Sequence, residues 1–114
     1  MNIDEESKVY IDADDALNRI GGNEGLYKKL LARFVEGNYL DAVTGAINNG
    51  DMEEAARSVH TLKGVSANLS LVKVQSLSVE LEQAIKGGAD HTGKLEELIS
   101  AYGATMEKIA GITG

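Results

Sequence analysis

Apolar residues recur along this chain at three- and four-residue spacings, and Gly/Asn clusters interrupt the pattern four times: Gly21-Gly22-Asn23, Asn48-Asn49-Gly50-Asp51, Asn68 to Ser70, and Gly87-Gly88-Ala89-Asp90. Four breaks predict five helices. Met1 to Val9 is polar and acidic with little periodicity, so residues 1–11 are expected to form a flexible arm and residues 12–112 the folded domain. A short helix is predicted from about Asp12 to Ile20, with Asp12, Asp14 and Asp15 favourable at its positive end. Asn23 is the expected N-cap of a second helix carrying Leu26, Tyr27, Leu30, Leu31, Phe34, Leu40, Val43 and Ile47, weakened locally by Gly37 and Gly45.

Asp51 with Glu54 three places on resembles a capping box and opens a third helix, whose inward positions are Met52, Ala55, Ala56, Val59, Leu62, Ser66 and Leu69. Ser70 is expected to cap a fourth helix, with Leu71, Val74, Leu77, Leu81 and Ile85 inward and the glycine pair at its end. The fifth is predicted from about Thr92 to Ile112, with Leu95, Leu98, Ile99, Tyr102, Met106 and Ile109 inward. Four long amphipathic helices with short connections predict an all-α antiparallel four-helix bundle, and the additional short N-terminal helix is expected across one end.

Composition agrees. The chain has no Pro and only five aromatic residues (four Tyr, one Phe), and β-type alternation is scarce. Its 114 residues suit one domain with a single core, which excludes a catalytic domain joined to a separate cofactor domain. With 11 Lys+Arg against 18 Asp+Glu the formal charge is −7, and no basic cluster offers the counterion release that drives nucleic-acid binding. The absence of Cys removes disulfides, thiolate catalysis and cysteine zinc sites. No apolar run approaches the roughly 18 residues a membrane span needs, so a cytoplasmic location without membrane contact is expected.

The candidate chemistry lies on the third helix. At about 100° per residue its core stripe centres near Val59, Leu62 and Ser66, and His60 falls roughly 130° away, facing solvent. Arg57, Gly64 and Ala67 share the His60 stripe, and Lys63 sits between His60 and the core edge. Glycine inside a helix costs about 1 kcal/mol relative to alanine, so Gly64 beside an exposed histidine calls for a reason. Access for a bulky group to the ring is one; close helix packing is the other.

The string Val59-His60-Thr61-Leu62-Lys63-Gly64-Val65-Ser66-Ala67-Asn68-Leu69, with Glu82 on the next helix, closely resembles the histidine-containing phosphotransfer (HPt) domains of phosphorelays, whose signature is His-x-Leu-Lys-Gly on the third helix of such a bundle. Ala16 to Asn23 followed by Leu26-Tyr27 and Leu30-Leu31, Gly50-Asp51, and Leu81-Glu82 are similar to the family as well, so that the resemblance covers about Asp12 to Ile109. It implies that His60 is the phosphoacceptor, Lys63 the cation beside the phosphoryl group, Gly64 the small residue leaving space above the ring, and Glu82 the hydrogen-bond partner of the imidazole. A carboxylate accepting from Nδ1–H would leave the Nε2 lone pair outward as nucleophile. Glu82 has a plainer reading too, as the surface partner of Lys86 at i+4. Arg57, Ala67 and Lys86 are weaker site candidates, Arg57 and Lys86 for holding phosphoryl oxygens or partner carboxylates.

One departure is Ser70, because the family usually has Gly ten places after the histidine. It puts the geometry of that turn in question. The resemblance further implies transfer from and to aspartates of response-regulator receiver domains, such as those of a hybrid sensor histidine kinase, with no cofactor of this domain's own and with Mg²⁺ supplied on the receiver. The domain is then a terminal module of a hybrid sensor kinase or a stand-alone shuttle, expected as a monomer. A self-sufficient kinase is not expected: no phosphate-cradling glycine loop is present, Thr61 follows His60 where a kinase dimerisation helix typically has an acid, and Pro is absent. Two alternatives fit the sequence as well, a phosphotransfer domain of a chemotaxis-type kinase and a non-catalytic helical adaptor. A metal site is disfavoured, since His91, the only other histidine, has no ligand spacing to His60 and is expected in a loop.

Overall fold

The computed structural model describes residues 1–114, and helices are the only regular elements: α1 Glu5–Lys8, α2 Ala13–Arg19, α3 Glu24–Glu36, α4 Tyr39–Asn48, α5 Met52–Asn68, α6 Val72–Lys86 and α7 Thr92–Thr113. α5 packs between α4 and α6, α6 against α7, and α7 back against α3. This closes an antiparallel four-helix bundle in which α3 and α4 together supply the first arm, elongated to 41 × 22 × 22 Å. Tyr27, Leu31, Phe34, Val43, Val59, Leu62, Val74, Leu81, Leu98 and Ile109 fill its core.

The polar residues at the breaks do local work. Asn23 accepts from the Leu26 amide at 2.9 Å and Asp51 from the Glu54 amide at 3.0 Å, each satisfying an orphan donor of a first turn. The reciprocal half of the capping box does not form, because the Glu54 carboxylate turns to Arg57 instead.

Four expectations need correction. The second predicted helix is two: the chain breaks at Gly37 and Asn38, and Asn38 takes a left-handed φ of 50°. The break returns the Tyr39 ring onto Phe34, stacked at 5.4 Å, and a Cβ at Gly37 would run into that ring. The polar start packs rather than hanging loose. Asp4 caps α1 through the Ser7 amide at 2.7 Å, Glu6 pairs with Lys108 at 3.0 Å, the N-terminal ammonium pairs with Glu24, and Ile11 is fully buried.

Ser70 does not cap the fourth long helix. Leu71 occupies that position without a side-chain cap, while Ser70 sits in a left-handed conformation with φ 56°. Finally, Leu26 and Ile99 face solvent, 40% and 43% exposed. The buried line of α3 is Tyr27, Leu31, Phe34, and that of α7 runs through Leu98, Ala101, Tyr102, Thr105 and Ile109, where small or polar residues hold core positions. Thr105 is accommodated because its hydroxyl donates to the Ala101 carbonyl at 2.7 Å.

The C-terminal end of α5 is held from outside. The buried Tyr27 hydroxyl donates to the Leu69 carbonyl at 2.8 Å, and burial pushes its pKa up to about 12. Arg19 of α2 donates to the carbonyls of Ala67 and Asn68 at 3.1 and 2.7 Å. The carbonyls of Asn68 and Leu69 at the helix end thus find donors on α2 and α3, and that of Ala67, already paired with the Ser70 amide, gains a second, which sets α2 across that end of the bundle.

Candidate functional site

His60 lies at mid-α5 with its side chain 66% exposed, on the face opposite Val59 and Leu62. Glu82 comes from α6, whose core line Val74, Leu77, Ser78, Leu81 and Ile85 turns its carboxylate toward α5. That carboxylate is buried, its side chain 7% exposed, and it is the meeting point of three basic groups. Nδ1 of His60 lies 2.9 Å from Oε2, Nζ of Lys63 donates to Oε1 at 2.6 Å, and Nζ of Lys86 lies 3.3 Å from Oε2.

Burial acts to raise the Glu82 pKa, but hydrogen bonds from Lys63, then His60 and Lys86, outweigh it and hold the carboxyl down at about 2. An ionised carboxylate only accepts hydrogen bonds, so Nδ1 of His60 must be the donor. In the neutral ring Nε2 then carries the lone pair. Both readings of Glu82, partner of the imidazole and i+4 partner of Lys86, are realised at once.

Gly64 is exposed, and a Cβ there would meet nothing within 4 Å. The close-packing explanation of this glycine therefore fails, and open space one turn beyond the ring is what the structure shows. His60 shares a shallow surface groove with Glu53, Ala56, Arg57, Thr61, Glu82 and Lys86. Of the weaker candidates, Lys86 joins the cluster. Arg57 is engaged on its own helix, with Glu54 at 2.6 Å and Glu53 at 3.3 Å. Ala67 is half-buried and enters the site's surroundings through its carbonyl, which Arg19 holds.

Ala56, expected on the inward line, is half-buried and lines the groove together with Glu53 and Thr61, to which the sequence assigns no site role; Glu53 and Ala56 precede His60 by seven and four residues on its own stripe. Asp15, expected only as a favourable charge at the start of the short helix, and Arg19 reach the segment that ends α5 from α2, contacts that carry no signal in local spacing. His91 stands at the N-cap position of α7, and no three His, Cys, Asp or Glu side chains come together in a metal-binding group.

An exposed imidazole whose Nδ1 bonds a buried, ionised carboxylate is what this small four-helix bundle presents at mid-α5. The family model of the Hpt domain matches residues 30–109, most of the chain. The protein belongs to this family, the histidine phosphotransfer domains of two-component phosphorelays, which exchange phosphoryl groups with receiver domains. Comparison with curated proteins and with solved structures gives no match. No helix is long and apolar enough to cross a membrane.

Proposed function

We propose that His60 is the phosphoacceptor, taking a phosphoryl group from a receiver aspartate and passing it to the aspartate of a second receiver, as the terminal module of a hybrid sensor kinase or as a cytoplasmic monomeric shuttle. The observation that carries this reading is the 2.9 Å bond between Nδ1 of His60 and Oε2 of Glu82, beside an open Nε2. In the transfer, the Nε2 lone pair attacks phosphorus. The Nε2–P bond forms as the bond from phosphorus to the aspartate oxygen breaks, and the electron pair leaves with the receiver carboxylate. The ring keeps its Nδ1 proton and gains positive charge, which the Glu82 carboxylate stabilises, much as a buried carboxylate supports an imidazolium in hydrolytic triads.

In this reading Lys63, anchored on the Glu82 carboxylate, stabilises charge developing on the transferring group, and the open space at Gly64 gives the receiver access. Mg²⁺ and the acidic pocket belong to the receiver in this reading, and the domain needs no cofactor of its own. Passage onward is the same displacement in reverse.

The test is intact-mass measurement after incubation with phosphoramidate and, separately, with a phosphorylated receiver, comparing wild type with His60→Gln. One acid-labile phosphoryl group present only in the wild type is expected. A folded wild type that gains no adduct from either donor contradicts the proposal, and so does an adduct that survives His60→Gln.

A further inference from the structure

Ser70, where the family usually has glycine, has a backbone φ of 56°, a conformation that costs a residue bearing a Cβ. Such a residue persists where its surroundings hold it there. Ser70 is 2% exposed, and its hydroxyl is doubly used on α2: it donates to Oδ2 of Asp15 at 2.7 Å and accepts from Nη2 of Arg19 at 2.8 Å. The backbone joins in, since the Asp12 amide donates to the Ser70 carbonyl at 2.9 Å. Asp15 and Arg19 also pair with each other at 2.6 Å. The Ser70 hydroxyl is the leading cause that lowers the Asp15 pKa below the ordinary carboxylate value, which keeps the acceptor ionised. α2 is only seven residues long and buries Ala13, Ala16 and Leu17, and these polar links add a fixed attachment to the end of α5.

That end is close to the chemistry. Ala67, whose carbonyl Arg19 holds, follows His60 by seven residues, so it lies two turns on along the same face, about 10 Å away. A receiver that covers His60 with an interface of ordinary size buries on the order of 800 Å² on this side, a disc about 16 Å in radius. α2 therefore falls inside the footprint.

We propose that Ser70 is a positioning residue for receiver-dependent phosphotransfer: with Asp15 and Arg19 its hydroxyl fixes α2 against the His60 helix, so that α2 forms one wall of the surface on which the receiver domain sits. This rests on the function proposed above and goes beyond it by assigning a docking role to residues that never touch the phosphoryl group. The hydroxyl is what a glycine at this position would lack.

Two donors separate docking from reactivity, because phosphoramidate reaches His60 without a protein interface. Ser70→Gly tolerates the left-handed backbone while deleting both hydroxyl links to α2, and Asp15→Ala removes the Asp15 half of them; circular dichroism verifies that both are folded. The protein donor is whichever of a panel of isolated receiver domains, charged with acetyl phosphate, transfers to the wild-type chain. At limiting receiver, transfer to either variant is expected to fall about five- to tenfold, the scale of one lost hydrogen bond, with the rate at saturating receiver retained. Labelling by phosphoramidate is expected to stay within about twofold of wild type.

Unchanged receiver-dependent transfer in both variants overturns the inference. So does an equal fall with both donors, which would place the effect on His60 or on the fold. A wild type labelled by phosphoramidate but by no receiver removes the receiver partner and this inference with it, whereas a wild type labelled by neither donor refutes the phosphoacceptor itself.

Discussion

Oε2 of Glu82, on α6, stands 2.9 Å from Nδ1 of His60, on α5, while Oε1 of the same carboxylate accepts from Lys63 at 2.6 Å. One buried side chain thus orients the imidazole and anchors the nearest cation. The two helices that carry the site cannot shift against each other without disturbing both bonds. The arrangement explains why a charged group is tolerated at a buried position: its acceptors are filled by three donors, which offsets the cost of removing it from water.

Replacing Glu82 separates orientation from charge. Glu82→Gln keeps an oxygen for the Nδ1 proton but loses the negative charge opposite the developing imidazolium, whereas Glu82→Ala loses both. Charge-assisted hydrogen bonds contribute about 1.5–3 kcal/mol, so single-turnover labelling by phosphoramidate should slow about tenfold in the first variant and up to about a hundredfold in the second. Equal rates in all three proteins would show that Glu82 does not assist the transfer.

The same carboxylate makes stability depend on pH. Its folded pKa, about 2, lies below the ordinary 4.5, so its contribution is fully present above about 4.5 and is lost as pH falls through about 2. Urea denaturation of the wild type should show a loss on the order of 2 kcal/mol from this group across that window, and Glu82→Gln should flatten it. A variant with the same pH slope as the wild type would assign the acid sensitivity elsewhere.

Gly64 makes a prediction of opposite sign for stability and function. No neighbour opposes a Cβ there, so Gly64→Ala should raise stability by up to about 1 kcal/mol, read as an increased Tm. A long side chain, as in Gly64→Gln, should also fold but fill the clearing and slow transfer from a receiver. A destabilised alanine variant, or a glutamine variant with full transfer, would remove the access argument.

The α3–α4 break is testable away from the site. A Cβ at Gly37 collides with the Tyr39 ring that stacks on Phe34, so Gly37→Ala should cost about 1–3 kcal/mol, the usual range for overpacking. Asn38→Gly keeps the left-handed turn and should be near neutral. Chemical denaturation reads both.

Much of this was legible in the sequence. The 3.6-residue period places His60 about 130° from the core stripe, and its side chain is indeed open; Gly64 and Lys63 follow from the same wheel. Glu82 was legible only through the family motif, because no local periodicity says which α6 residue faces α5. The break at Asn38 was hidden, since a single left-handed residue leaves the apolar spacing before and after it almost undisturbed. The docking of the N-terminal segment depends on partners far along the chain, Glu24 and Lys108, which no window of neighbouring residues contains. Ser70 was visible as a departure, but the N-cap reading used its usual local preference and could not anticipate Asp15 and Arg19 arriving from α2.

The proposed arrangement has Glu82 hold the Nδ1 proton of His60 and leave Nε2 to take the phosphoryl group. Its most direct test is heteronuclear NMR of the ring nitrogens of His60, with ¹⁵N-labelled protein before and after treatment with phosphoramidate. A proton on Nδ1 in both states and phosphorus coupled to Nε2 in the product are expected. Phosphorus coupled to Nδ1, or a neutral ring protonated on Nε2 before the reaction, would contradict it.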